Sequence, residues 1–138
     1  MSNEKKAVKR TPEFDYKTIK SFEDACKKEN IDPEKLPDVS MIPQEFQKAI
    51  VNMYKLYIIY KAVNNGWIAD YDNGNQLKYY PWYRVGSSGS GFVFSFTFCI
   101  FGLSGTAVGS RLCFESSEKC EYVAKQFTSL YEQFLLTK

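Results

Sequence analysis

Histidine is absent from this chain of 138 residues. Without imidazole there is no catalytic triad or dyad that passes a proton through it, and the commonest ligand of zinc is gone, so most hydrolase and zinc-enzyme mechanisms are excluded. Cysteine is sparse. Cys26, Cys99, Cys113 and Cys120 show no CxxC spacing and sit among apolar neighbours, a pattern that fits reduced core thiols rather than disulfides or a zinc site. Five prolines and eight glycines are too few for a disordered or fibrous chain. No apolar stretch opens the sequence, and the longest apolar run, 92–103, is too short to cross a bilayer as a helix. Neither a signal peptide nor a membrane partner is expected, and the predicted location is the cytoplasm.

Charge of one sign is also lacking. The net charge of +2 is too small to attract nucleic acid or membrane in bulk. Only the start of the chain is biased, with Lys5, Lys6, Lys9 and Arg10 against Glu4. Residues 1–17 therefore read as a flexible basic tail, with a phosphate-binding arm as the alternative, and 18–138 as a single domain.

Two apparent motifs fail on spacing. "DYDNGNQLKYY" offers Asp70 and Asp72 at alternate positions like a calcium loop, but Gly74 and Pro81 fall where the fifth-position oxygen and the twelfth-position glutamate belong. It reads as a turn built on Asn73 and Gly74. "GSSGS", 86–90, lacks a Walker lysine and a following helix, so it reads as a hairpin connection rather than a phosphate cradle. The remaining acids are spread along helix surfaces. No catalytic residue, metal or cofactor is expected, and the chain is read as non-enzymatic.

What is abundant is aromatic: 11 Phe, 10 Tyr and 2 Trp in a chain that is 44% hydrophobic, enough to build a sizeable core. Ser21 followed by Asp24 marks the start of a short helix over 22–29, and Pro33, Pro37 and Pro43 interrupt regular structure after it. Pro43 is suited to open a long helix whose apolar positions, from Phe46 to Ile58, keep a 3.6 period until Asn65 and Gly66 supply a left-handed cap. Three strand-like runs follow, 77–85, 91–101 and 107–114, joined by five-residue connections that favour an antiparallel meander. A final amphipathic helix is predicted over 117–136. The expected fold is α+β: a three-stranded antiparallel meander with two long helices and one short helix on one face.

Alternation divides each strand. Phe92, Phe94, Phe96, Phe98 and Ile100 are predicted to face the helices, with Val93, Ser95, Thr97, Cys99 and Phe101 opposite. In the first strand Tyr79 and Tyr83 are placed inward, with Lys78, Tyr80, Trp82 and Arg84 outward. Pro81, which cannot donate to a ladder, makes that strand an edge or a bulged one and the Phe-rich strand central. The candidate binding face then comprises Tyr80, Trp82, Arg84, Ser95, Thr97 and Arg111, flat rings beside guanidinium groups that suit a protein partner, sugars or bases. The competing expectation is that the loop from Gly66 to Asn75, or a second copy, covers this face. The order of elements does not fit an RNA-recognition sheet.

The segments from "SFEDACKKEN" to "AVNNGW", "KYYPWYRV" and "GSRLCFESSEKCEYVAKQFTSLYEQFL" resemble a recurrent set of small proteins encoded by phages and prophages of gut Bacteroidetes, crAss-like phages among them. The resemblance runs from about residue 20 to the end and is most specific at YYPW and SRLCF. The chain departs from that set in having "ADYDNGNQL" where tryptophan-rich residues precede YYPW, and a phenylalanine run where the middle strand is more polar and tyrosine-rich. No activity attaches to the set, so no functional residue carries over. The resemblance implies a phage or prophage source and a place in the virion or in the cytoplasm of the infected host. The resulting expectation is an interaction module that binds a protein or itself through the outward sheet face. The alternatives are a single-stranded nucleic-acid binder and an anti-defence protein that holds a small nucleotide or sugar.

Overall fold

The computed structural model describes residues 14–85, 92–100 and 112–136, with Phe96, Phe98, Cys99 and Ile100 in backbone only. Within them the fold is α+β, with four α-helices and a two-stranded antiparallel sheet. A single 3₁₀ turn at Tyr16–Thr18 precedes the first helix. Phe14 and Tyr16 pack against the core, ahead of the boundary at 17 that composition suggests.

Helix α1, Phe22–Glu29, begins where Ser21 accepts the Asp24 N–H at 3.1 Å and ends at Asn30 in the left-handed region. The Asp24 carboxylate returns the favour one residue early, accepting the Lys20 N–H at 3.0 Å. Helix α2, Gln44–Asn64, has Pro43 as its N-cap and Asn65, at φ 45°, as its left-handed C-cap. A side chain that can bond locally tolerates that conformation. Leu56, Ile59, Ala62 and Val63 are fully buried, and α2 packs against α1 on one side and the C-terminal helix on the other.

Strand β1, Lys78–Val85, pairs antiparallel with β2, Phe92–Ile100. The register runs from Lys78 opposite Ile100 to Trp82 opposite Phe96, then slips so that Tyr83 stands opposite Phe94. Ser95 is the extra residue, and its insertion reverses the parity of β2 beyond it. A bulge near Pro81 is one of the two outcomes its missing N–H allows. On the far side of β1, Phe114 exchanges backbone hydrogen bonds of 3.2 and 2.9 Å with Tyr79, a single bridge beside a two-stranded sheet. Among the described residues it is at Tyr79, in β1, that a strand has a neighbour on each side.

Of the expected three-stranded meander, the described residues show two strands and a bridge. A meander would set the third run beside β2; the described part of 107–114 meets β1 instead, through Phe114 alone. Side chains of α2 hold the described end of that run. Tyr60 donates to the Leu112 carbonyl, Asn64 donates to the Cys113 carbonyl at 2.9 Å, and Asn64 also accepts the Glu115 N–H at 3.3 Å. The ring of Phe114 stacks on Tyr60 with centroids 4.1 Å apart. Residues 107–111, the 86–90 hairpin and the GLSGT connection lie outside the described residues.

The predicted single C-terminal helix is two: α3, Ser117–Gln126, and α4, Thr128–Leu135, broken at Phe127 (φ −116°, ψ 29°). Thr128 Oγ1 donates to the Ala124 carbonyl at 2.8 Å, and the Tyr83 hydroxyl donates to the same carbonyl at 2.6 Å. Two hydroxyls there compete with the helical ladder for one acceptor, which favours the break. Helix α3 lies across both strands, and α4 bridges β2 and α2.

Candidate functional site

The bulge decides what the sheet offers. On its helix side Tyr83 stacks on Phe92 at 4.2 Å, meets Phe94 edge-on at 6.2 Å and lies 5.1 Å from Tyr131. Past Ser95 it is Thr97 that turns to the helices, where its hydroxyl hydrogen-bonds the Cys120 thiol. Thr97 therefore leaves the candidate face to which simple alternation assigns it. Burial pushes the Cys120 thiol up to about 12, an effect that the Thr97 bond partly offsets.

The opposite face of β1 is divided. At one end the loop after α2 folds over it: the Tyr71 hydroxyl hydrogen-bonds that of Tyr80 at 2.9 Å, and its ring lies 5.0 Å from Lys78 Nζ. Lys78 is fully buried and donates to the Gln76 carbonyl at 3.2 Å. Cys113 closes the cluster, hydrogen-bonded to both Tyr71 and Tyr80, with burial the dominant influence raising its pKa. Tyr80 is raised above the usual tyrosine range, first by burial and then by the Tyr71 bond. A protonated thiol and phenol in a packed cluster are poor nucleophile and base. Tyr80 is thus a covered residue, and the alternative expectation, that this loop overlies the sheet, describes its end of the strand.

At the other end the face is open. Trp82 is 56% exposed, and Val93, which stands opposite Arg84 in the ladder, is 53% exposed. Arg84 and Ser95 are exposed too, and the strand ends in Val85 at 59%. Of the six candidate residues, Trp82, Arg84 and Ser95 come together here, Tyr80 and Thr97 are placed elsewhere, and Arg111 lies outside the described residues. Val93 joins them from outside the six candidates, on the outward side of β2 to which alternation assigns it.

The Asp70–Gln76 segment is a turn closed on itself. The Asp70 carboxylate accepts the Asp72 N–H at 2.9 Å, Asn73 Oδ1 accepts the Asn75 N–H at 3.0 Å, and Gln76 Oε1 accepts the Asp70 N–H at 2.6 Å. Among the described residues no group of three or more metal-ligating side chains gathers, and no helix is long and apolar enough to cross a membrane. Cys26, Cys113 and Cys120 are free and buried. Comparison with protein-family models, curated proteins and solved structures finds no match to this chain.

Proposed function

We propose that this chain is a non-catalytic interaction module of a phage or prophage, acting in the virion or on a host component. It engages a protein partner, or a second copy of itself, through the open end of the sheet around Trp82. The observation that carries this reading is the grouping of a half-exposed tryptophan with Arg84 and Val93 on one strand-paired surface. Tryptophan and arginine are the side chains most enriched among residues that dominate binding energy, and a soluble domain rarely leaves such a group in water without use. The sequence resemblance supplies the phage context.

The test is native mass spectrometry of the protein purified from infected cells, wild type against a Trp82→Ala, Arg84→Ala double variant. A retained protein or a dimer that disappears in the variant, with melting unchanged, is the expected result. Monomer alone from both would overturn it. Ring and guanidinium side by side also favour a second reading, single-stranded nucleic acid stacked on Trp82. That reading requires oligonucleotide binding that weakens as salt rises and fails in Trp82→Ala.

A further inference from the structure

A groove of about 410 Å³ lies on the helical side of the molecule, between the first half of α2, the loop before it and α4. Its centre is Asn52, only 5% exposed, whose amide donates to Gln133 Oε1 at 2.8 Å and so fixes α2 against α4. Val39 and Val51 supply apolar wall. Lys48 and Lys55 lie on either side of Val51 and Asn52, seven residues apart on one helix, which separates their Cα atoms by roughly 10 Å along the axis. Lys55 is half-buried, its ammonium 5.4 Å from the centre of the Phe22 ring.

No side chain lining the groove is acidic. The acid nearest in sequence to Val39, Asp38, is turned into its own loop, where it accepts the Ser40 N–H at 2.9 Å. In the same loop Leu36 and Met41 are 41% and 96% exposed. Cationic groups at two ends, an apolar stretch between them and a floor already fixed by a hydrogen bond describe a receptor more completely than a solvated helix face would.

We propose that this groove docks an acidic segment of a partner protein. The complement it asks for is an apolar anchor over Val39 and Val51 with carboxylates about 10 Å apart on either side, the spacing of positions i and i+7 on one face of a helix. The site is distinct from the Trp82 surface and does not rest on the function proposed for it.

The experiment selects peptides from a displayed random library on the immobilised full-length protein, with a Lys48→Glu, Lys55→Glu variant as the counter-target. Enriched peptides should carry net negative charge and a central apolar residue. Their affinity, read by fluorescence anisotropy, should fall at least tenfold on the charge-reversed variant and on Val51→Asp, and be unchanged on Trp82→Ala. Circular dichroism melting within a few degrees of wild type verifies that the variants fold. Failure to enrich any peptide, enrichment of neutral or basic ones, or equal binding to the charge-reversed protein would overturn the proposal. So would sedimentation showing a dimer that Val51→Asp dissociates, since the occupant would then be a second copy.

Discussion

Asn64 ties the end of α2 to the segment that leads into α3. Buried at 7% exposure, it spends a donor on Cys113 and its acceptor on Glu115, some fifty residues away. Replacing it with alanine leaves the Cys113 carbonyl without that donor in a dry site, a loss of about 1–3 kcal/mol. Urea unfolding of Asn64→Ala should register that loss, whereas Asn65→Gly, at an exposed left-handed position, should change stability by less than about 0.5 kcal/mol. Equal midpoints for Asn64→Ala and wild type would remove Asn64 from this role. In the sequence Asn64 reads only as the end of a helix, because its partners are distant and nothing local distinguishes it from Asn65. The same holds for Tyr60, whose pairing with Leu112 and with Tyr131 at 2.7 Å is invisible to helical periodicity, which gives only that the ring is on or near the buried face.

The elements were legible where one strand of chain carries its own signals, and obscured where two segments negotiate. Helix α1 spans the residues its capping pattern predicts, and α2 stops at the left-handed cap that Asn65 and Gly66 announce. The strand faces are a different matter. Phenylalanine at every second position from 92 to 98 gives an unbroken alternation, so nothing in β2 itself reveals that Ser95 is an extra residue. The one clue lies across the sheet in Pro81, opposite Thr97. Deleting Ser95 should join Phe94 to Phe96 in a regular ladder that keeps the pairs Tyr83 with Phe94, Trp82 with Phe96 and Pro81 with Thr97, and so leaves Thr97 facing Cys120. The expected outcome is cooperative unfolding retained, with a midpoint near the parent's, measured by thermal denaturation. Ser95→Ala, which keeps the bulge at an exposed position, should stay within about 0.5 kcal/mol of wild type. A deletion variant that lost cooperative unfolding would mean that the bulge itself, and not only the register on either side of it, holds the fold. The break at Phe127 was hidden for a related reason, since the apolar stripe continues through it and one of the two hydroxyls that compete for the Ala124 carbonyl, that of Tyr83, arrives from β1.

At the scale of the whole molecule, the core is built from groups that resist ionisation. Burial raises the thiol of Cys120 from 9.0 to about 12, and raises those of Cys26 and Cys113. It likewise lifts Tyr60 and Tyr131 well above 10.0, and Tyr83 with them. For each of these acids the folded pKa exceeds the unfolded one. Between the two values the unfolded chain holds fewer protons than the folded chain, so stability declines as pH rises. The contribution is complete below about pH 9, begins to fall as the thiols of the unfolded state ionise, and falls further above pH 10 as its tyrosines join them. Each group contributes a slope of up to about 1.4 kcal/mol per pH unit within its window. With no histidine in the chain, no imidazole titration disturbs the neutral range. The urea midpoint should therefore be level from pH 7 to 8.5 and drop steadily from 9 to 11, with a shallower drop in Cys120→Ala than in wild type. A midpoint that stayed level to pH 11 would show that these thiols and phenols are not held in the dry core where the packing puts them. A steep loss already between pH 7 and 8 would place the controlling group outside this set.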